Sequence, residues 1–298
     1  MARVRFWHRQ SGGLSRSAVR FMRRPPLRRP VLLAAFEGWN DAGDAASTAT
    51  SALAESLRSV PFAEVDPEEF FDFTQARPEV SLGEGETRHI AWPSTTLSIA
   101  TVRAEDEDLI VLRGPEPHLH WQTYCDTVVE LAKGLGVRRA VMLGAYLSEV
   151  THSRPVPLSG SSTLDGLLQR YGLASTRYEG PTGIVGVLGE ALGQAGIETT
   201  SLWASVPAYS LPVSAKAALA LARAAALVLD RQVVLDDLEE QAREYERRMD
   251  ELVEEDENVA AYVARLEEME DPGAEGAVSD GTFEGLAEEI ERYLRGKR

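Results

Sequence analysis

Continuous apolar runs of strand length alternate along this chain with amphipathic stretches of helical length. Short runs that are apolar at almost every position are typical of strands covered on both faces. The sequence predicts such strands at residues 31–36, 96–102, 109–113, 140–145 and 199–206. Helices are predicted from apolar spacing and flanking glycines at residues 44–57, 121–135, 161–171, 184–194 and 214–229.

This alternation of strands and helices predicts an α/β fold. Within residues 109–145 the order strand, helix, strand is that of a right-handed βαβ unit with parallel strands. We therefore predict a three-layer α/β/α sandwich with a mostly parallel sheet over residues 30–235.

The chain changes character at residue 236. Residues 236–271 contain sixteen acidic residues and four arginines. Apolar side chains recur there at spacings of four and three, which places them on one face of a long helix: Leu238, Ala242, Tyr245, Met249 and Leu252. A further short helix is predicted at residues 283–294. We predict an acidic helical extension over residues 236–298, whose apolar face either packs back on the α/β domain or forms an oligomer or partner interface.

Charge is distributed unevenly along the chain. Residues 1–29 hold nine arginines and no acidic residue, and we predict a disordered basic tail there. Such a leader also has the composition of an organellar transit peptide, and an upstream start codon, with Met22 as the alternative start, is a third interpretation. Removing these nine charges from the net charge of −16 leaves −25 on residues 30–298, which argues against nucleic acid as a partner.

Apolar runs and cysteine usage limit the cellular context. No apolar run reaches transmembrane length, so we expect no membrane partner. The one cysteine, Cys125, excludes an intramolecular disulfide and fits a reducing compartment, so we expect a cytoplasmic protein. Cys125 lies in a predicted helix, and we interpret it as a small buried residue rather than a nucleophile.

The turn after the first predicted strand concentrates polar chemistry. Glu37, Asp41 and Asp44 stand at the start of a helix, with glycines at 38 and 43 and no Lys or Arg in the turn. These carboxylates would repel a phosphate from the helix N-terminus. The turn better suits an amine, a sugar hydroxyl, a metal or the N–H groups of another chain, and plain helix capping is the alternative.

Functional loops of parallel sheets follow the carboxyl ends of the strands. Polar residues on such loops form our predicted ligand or partner cleft: Glu37, Trp39, Asn40, Asp41, Glu116, His152, Arg154, Thr182 and Tyr209. We assign no catalytic residue and no cofactor, because no nucleophile elbow or phosphate-binding loop is present. His118 and His120 lack a third ligand at a metal-site spacing, so no metal is predicted.

Several distinctive motifs follow one another along the chain: EGWNDAG at 37–43, GPEP at 114–117 with Trp121, HSRP at 152–155, YEGPTG at 178–183 and SLWASVP at 201–207. In this order they resemble the proteasome assembly chaperone 2 family over about residues 30–298. The resemblance is strongest to an actinobacterial branch that also has an acidic helical extension. Two positions depart from that branch: Ala208 precedes Tyr209 where histidine is usual, and Thr151-His152-Ser153-Arg154 replaces Pro-His-Thr-Arg.

The resemblance implies a phosphorylase/hydrolase-like α/β/α fold and a chaperone-like role, since eukaryotic and archaeal relatives are chaperones of proteasome assembly. It favours a non-enzymatic protein with protein partners, proteasome-related ones among them. From the exposed helical stripe we also expect a homo-oligomer. The alternative is a small-molecule-binding protein or a hydrolase-type enzyme using the cleft, and it predicts that Asp41 and Glu116 do more than cap helices.

Overall fold

The computed structural model describes residues 18–83, 87–100 and 107–269, and within them the chain forms one large sheet and a separate hairpin. The strands, in chain order, are β1 Val19–Phe21, β2 Val31–Glu37, β3 Val60–Val65, β4 Glu79–Leu82, β5 Arg88–Ala91, β6 Thr95–Ala100, β7 Leu109–Pro115, β8 Arg139–Ser148, β9 Leu158–Ser162, β10 Ala174–Ser175 and β11 Glu198–Pro207. The large sheet has the order β1-β3-β6-β7-β2-β8-β11-β9-β10, and β4 pairs only with β5.

The centre of the sheet is parallel and its flanks are mixed. Strands β7, β2, β8 and β11 run parallel to one another. Strands β6, β3 and β1 add antiparallel pairings on one side, and β9 pairs antiparallel with β11 on the other. The seven helices of the described residues are α1 Ala45–Ser56, α2 Trp121–Leu135, α3 Leu167–Arg170, α4 Ile184–Gln194, α5 Ala215–Val228, α6 Asp236–Glu255 and α7 Glu257–Met269. The predicted α/β fold class is confirmed.

Helices cover both faces of the sheet, which makes three layers. Leu33 and Val111 point to the side of α1, α5 and α6, whereas Leu32 and Ile110 point to the side of α2 and α4. Because both faces are covered, β2 must be apolar at consecutive positions, and all six of its residues before Glu37 are buried. The predicted strands at β2, β7, β8 and β11 and the predicted helices at α1, α2, α4 and α5 are confirmed.

The helix predicted at residues 161–171 is wrong over most of its length. Residues 158–162 form β9, and only Leu167–Arg170 is helical. The backbone of β9 pairs with β11, and the hydroxyl of Ser161 lies 2.8 Å from that of Ser201. Gly160 permits this approach, because a Cβ there would stand 2.2 Å from the carbonyl oxygen of Ser201. Pairing with a distant strand therefore decides the conformation of this segment.

The basic tail predicted for residues 1–29 is only partly described. Val19–Phe21 forms an edge strand on β3, and the side chain of Arg20 pairs with Glu64 at 2.8 Å. The extent of a disordered tail within residues 1–29 stays a prediction. The remainder, residues 1–17, lies outside the described residues, as does the helix predicted at 283–294.

The acidic extension packs on the α/β domain. Leu238, Ala242, Tyr245 and Met249 on α6 are buried in the same core as α1, α5 and the sheet. Asp256, in an extended conformation, separates α6 from α7. Of the two alternatives for the apolar face, packing back on the domain is what the structure shows for α6. The stripe is therefore covered within the chain, and self-association, like the boundary at residue 236, stays a prediction. Among the described helices, none is both long enough and apolar enough to cross a membrane.

Candidate functional site

The turn after β2 is held by the side chain of Asp41. Its Oδ1 accepts hydrogen bonds from the backbone N–H groups of Ala46 at 2.6 Å and Ser47 at 3.2 Å. The carbonyl of Asn40 accepts a bond from Ala145 on β8 at 2.8 Å. A single short 3-10 turn at Ala42–Asp44 intervenes, with Gly43 at φ 59°. Asp41 thus caps α1, and the turn is fastened to the centre of the sheet.

Glu116 performs the same task for another helix. Its Oε1 accepts a hydrogen bond from the backbone N–H of Ile184, the first residue of α4, at 2.8 Å. Its own N–H donates to the carbonyl of Glu37 at 2.9 Å. The loop after β7 therefore joins the end of β2 to the start of α4. Two of the three carboxylates predicted in the cleft, Asp41 and Glu116, therefore act as helix caps, each at the positive end of a helix dipole.

These loops meet at Gly183. A Cβ at this position would lie 2.1 Å from Asn40 Oδ1 and 2.7 Å from Glu116 Oε1, so any residue but glycine displaces them. The exposed Thr182 lies beside it, and its Oγ1 would stand 2.2 Å from a Cβ at Gly186. Glu37, Trp39, Asn40, Asp41, Glu116 and Thr182 are thereby brought to one region of the sheet edge.

Two oxygens in this region are buried without a protein hydrogen-bond partner in the described part of the chain: Asn40 Oδ1 and Asp41 Oδ2. Burial raises the pKa of the Asp41 carboxyl above its usual value of 3.8, and this outweighs the bonds from Ser47 and Ala46, which lower it. The nearby Asp44 adds a smaller repulsion in the same direction.

His152 and Tyr209 form a second, separate group. The Tyr209 hydroxyl accepts a bond from the His152 N–H at 3.0 Å and lies 2.7 Å from His152 Nδ1. His152 Nε2 lies 3.1 Å from Asp250 Oδ1 on α6. Burial raises the pKa of Tyr209 to about 12. These contacts point toward the extension, not toward Asp41.

A lysine adds to the group formed by His152, Tyr209 and Asp250, which we call the His152 junction. Lys216 Nζ on α5 donates to the His152 carbonyl at 2.6 Å and pairs with Glu246 on α6 at 2.7 Å. The Ser153 hydroxyl donates to Glu267 on α7 at 2.8 Å, and the rings of Tyr209 and Tyr262 meet at 5.8 Å. The loop after β8 is thus a docking point for α6 and α7. Arg154 lies exposed on the same loop.

Large apolar side chains are also exposed at this edge. Trp39 is 61% exposed and Tyr178 is 66% exposed, on two of the loops joined through Gly183. Leu119, on the loop after β7, is also exposed. Exposed aromatic side chains on a fastened turn are typical of protein-binding surfaces.

Two side chains that carry reactive groups, Cys125 and His118, have structural surroundings. Cys125 is buried inside α2, and burial raises the pKa of its thiol to about 12. His118 Nδ1 accepts a bond from the Asp72 N–H at 3.2 Å, which is a structural contact. In the residues that the structure describes, no three His, Cys, Asp or Glu side chains are grouped as a metal site.

Comparison with known proteins gives the family. The model of the PAC2 family matches residues 35–253. The chain belongs to the PAC2 family. A crystal structure of a PAC2 family protein from Streptomyces avermitilis is 44% identical, with a TM-score of 0.72, over 78% of this chain and 99% of that chain. A proteasome-assembly chaperone homologue from Mycobacterium tuberculosis is 43% identical, with a TM-score of 0.70, over 78% and 99%.

More distant solved structures share the fold alone. An archaeal proteasome activator from Pyrococcus furiosus is 18% identical, with a TM-score of 0.63, over 78% of this chain and 97% of that chain. No protein with a curated description is significantly similar to this chain. The resemblance to the PAC2 family that the motifs indicated is confirmed.

The two charged side chains that contact His152 were not predicted from the sequence. Asp250 and Lys216 fix His152 but lie 98 and 64 residues away along the chain, at helix positions that look like ordinary solvated charges. Arg113 was predicted only as the last residue of a strand, although a cation at the end of an apolar strand can indicate a binding site.

Proposed function

We propose that this PAC2 family member is a non-enzymatic, assembly-chaperone-like protein that binds other proteins through the exposed apolar residues of the sheet edge. The observation that carries the proposal is Trp39, 61% exposed on a turn that Asp41 and Asn40 fasten to α1 and β8. We call the three residues Trp39, Leu119 and Tyr178 the edge patch.

A rigid edge patch suits recognition of a protein surface. Trp and Tyr are enriched among residues that dominate binding energy. Because the turn at residues 38–41 is already fixed by hydrogen bonds, little conformational entropy is lost on binding. Glu37 and Glu179, both exposed, add polar groups on the same loops.

The enzymatic alternative is less well supported. It requires Asp41 and Glu116 to face a substrate, and both instead accept bonds from the first turns of α1 and α4. His152 contacts Tyr209 and Asp250, and these contacts join the loop after β8 to α6. The second group of predicted cleft residues, His152, Arg154 and Tyr209, therefore supports attachment of the extension.

The similarity to a proteasome-assembly chaperone homologue supports proteasome-related proteins as partners. We include in the proposal a cytoplasmic location and the absence of nucleic acid, cofactor or membrane partners, in line with the acidic composition.

The test is quantitative mass spectrometry of proteins that co-purify with the tagged full-length chain, followed by binding of purified proteasome subunits from the same cells. Wild type is expected to retain proteasome subunits, and Trp39→Ala and Tyr178→Ala are expected to lose them by about tenfold or more. The matched control is Leu227→Ala, an equally exposed apolar residue at the end of α5.

Thermal unfolding of each variant establishes that it folds. Recovery of the tagged chain alone, or unchanged recovery of subunits by a folded Trp39→Ala variant, would overturn the proposal. Truncation at residue 236 is a poor test, because it removes four core residues of α6 together with the extension.

A further inference from the structure

A surface pocket of about 340 Å³ lies between α1 and the carboxyl ends of β2 and β7. Its third wall is the segment that leads from β5 into β6. The side chains that matter for its chemistry are Glu37, Ser47, Ser51, Trp92 and Arg113. The edge patch and the His152 junction do not line this pocket, so its occupancy is a separate question from protein binding.

Strand register places two opposite charges in this pocket. Ala35 on β2 is paired with Arg113 on β7, and Glu37 follows Ala35 by two residues. Alternate residues of a strand point to the same face, so Glu37 and Arg113 both project toward the α1 side of the sheet. Both are exposed to solvent at the pocket.

The guanidinium of Arg113 is held in place by a hydrogen bond that uses only one of its N–H groups. Its Nη1 donates to the Ser51 hydroxyl at 3.1 Å, on the second turn of α1. A guanidinium has five N–H donors, so several stay available to an incoming acceptor. Ser47, one turn earlier on α1, contributes a second hydroxyl to the same wall.

An aromatic side chain forms the apolar wall. Trp92 lines the pocket and packs edge-on against Phe73, with ring centroids 4.8 Å apart. Pro93 and Pro115 extend this surface. The pocket thus combines a cation, an anion, the hydroxyls of Ser47 and Ser51 on α1, and an indole.

We propose that this pocket binds a small zwitterion of the α-amino-acid class, as a free amino acid or a dipeptide. Arg113 takes the carboxylate, Glu37 takes the ammonium group, and Trp92 packs on the side chain. A simple anion is repelled by Glu37 and a simple cation by Arg113, whereas a zwitterion satisfies both.

The volume sets the size of the ligand. Small-molecule pockets span roughly 300–1,000 Å³, and this pocket is at the lower end of that range. This volume suits a free amino acid or a dipeptide. The pocket stands open to solvent beside the exposed Trp92, so entry needs no opening of the core.

The experiment is a saturation-transfer NMR screen of the full-length protein against each standard L-amino acid and against glycylglycine. Calorimetry then gives Kd for the best ligand. Arg113→Gln and Glu37→Gln are each expected to weaken binding by about tenfold or more, as for the loss of a charge-assisted hydrogen bond. Arg138→Gln, an exposed arginine at the opposite end of the sheet, is the matched control and is expected to bind like wild type.

Two ligand derivatives assign the charges. The C-terminal amide removes the carboxylate, and it is expected to lose affinity in wild type but little further in Arg113→Gln. The Nα-acetyl derivative does the same for Glu37. Absence of binding by every amino acid and by glycylglycine, or a folded Arg113→Gln variant that binds as tightly as wild type, would overturn the assignment.

Discussion

The carboxylate of Glu116 accepts a hydrogen bond at 2.8 Å from the backbone N–H of Ile184, which lies 68 residues further along the chain. A helix is usually capped by the residue just before it, yet the residue before α4 is Gly183, which has no side chain to accept a hydrogen bond. The cap is therefore supplied by the loop after β7. This hydrogen bond joins the loop after β7 to the start of α4.

Removal of the Glu116 cap is predicted to destabilise the fold. Glu116→Ala leaves a buried helix N-terminus unsatisfied and should lower the free energy of unfolding by about 1–2 kcal/mol. Glu116→Gln keeps an acceptor oxygen and should lose less. Urea unfolding measures both, with Glu130→Ala on the exposed side of α2 as the control. Equal stability of Glu116→Ala and the control would contradict a capping role.

The buried carboxyl of Asp41 predicts a specific pH dependence. Burial raises its pKa in the folded state above 3.8, so the folded chain binds this proton more tightly than the unfolded chain. Stability contributed by the proton is present at low pH and is lost as pH rises through the folded pKa. Relative to Asp41→Asn, wild type should therefore become less stable as pH rises above the usual carboxyl value of 3.8.

Denaturant unfolding of both Asp41 proteins across this range measures that difference. Asn is as good an N-cap as Asp, so the comparison isolates the charge. Asp41→Ala, which removes the cap, should be less stable than Asp41→Asn throughout. A stability difference between wild type and Asp41→Asn that is constant with pH would refute the prediction.

The Tyr209 hydroxyl is predicted to stabilise the junction with α6. Tyr209→Phe removes its bonds to His152 and should cost about 1–2 kcal/mol in urea unfolding. The control is Tyr171→Phe, which should change stability by less than about 0.5 kcal/mol.

A second outcome concerns alkaline solutions. Burial raises the pKa of Tyr209 from 10.0 to about 12, so its contribution is full below pH 10 and is lost as pH approaches 12. The stability of Tyr209→Phe should decline less steeply than that of wild type over this interval, and parallel declines would count against the assignment.

Cys125 is predicted to be unreactive while the protein is folded. It is 3% exposed, and burial raises the pKa of its thiol to about 12, so almost no thiolate is present at neutral pH. Ellman's reagent should detect no thiol in buffer and one thiol per chain in denaturant, since the chain has one cysteine. Rapid labelling of the folded protein would show that α2 opens or that the thiol is accessible.

The sequence predicts the core of this fold well where burial acts on both faces. Strands such as β2 and β8 are apolar at consecutive positions, and α2 ends at Gly136 in the left-handed conformation, a local signal. The β9 segment was mistaken because its serines show neither period, and its structure depends on pairing with β11. Ser161, for example, is paired with Ser201, which lies 40 residues further along the chain.

The sequence predicts the positions of Asp41 and Glu116 better than it predicts their roles. Asp41 and Glu116 lie at the edge where the carboxyl ends of parallel strands were expected. Their hydrogen-bond partners could not be deduced, because Ile184 becomes a neighbour only after the sheet has formed. The pocket around Arg113 was missed for a similar reason: the shared face of Arg113 and Glu37 follows from strand register.

Asp256 divides the described part of the C-terminal extension into two helices that make different contacts. The helix before it, α6, shares the central core, and the family match ends within α6 at residue 253. The helix after it, α7, reaches the loop after β8 through Glu267 and the Tyr209 ring through Tyr262. Substitutions on the buried face of α6 are therefore expected to disturb the central core, whereas changes in α7 are expected to act mainly on the loops that it contacts.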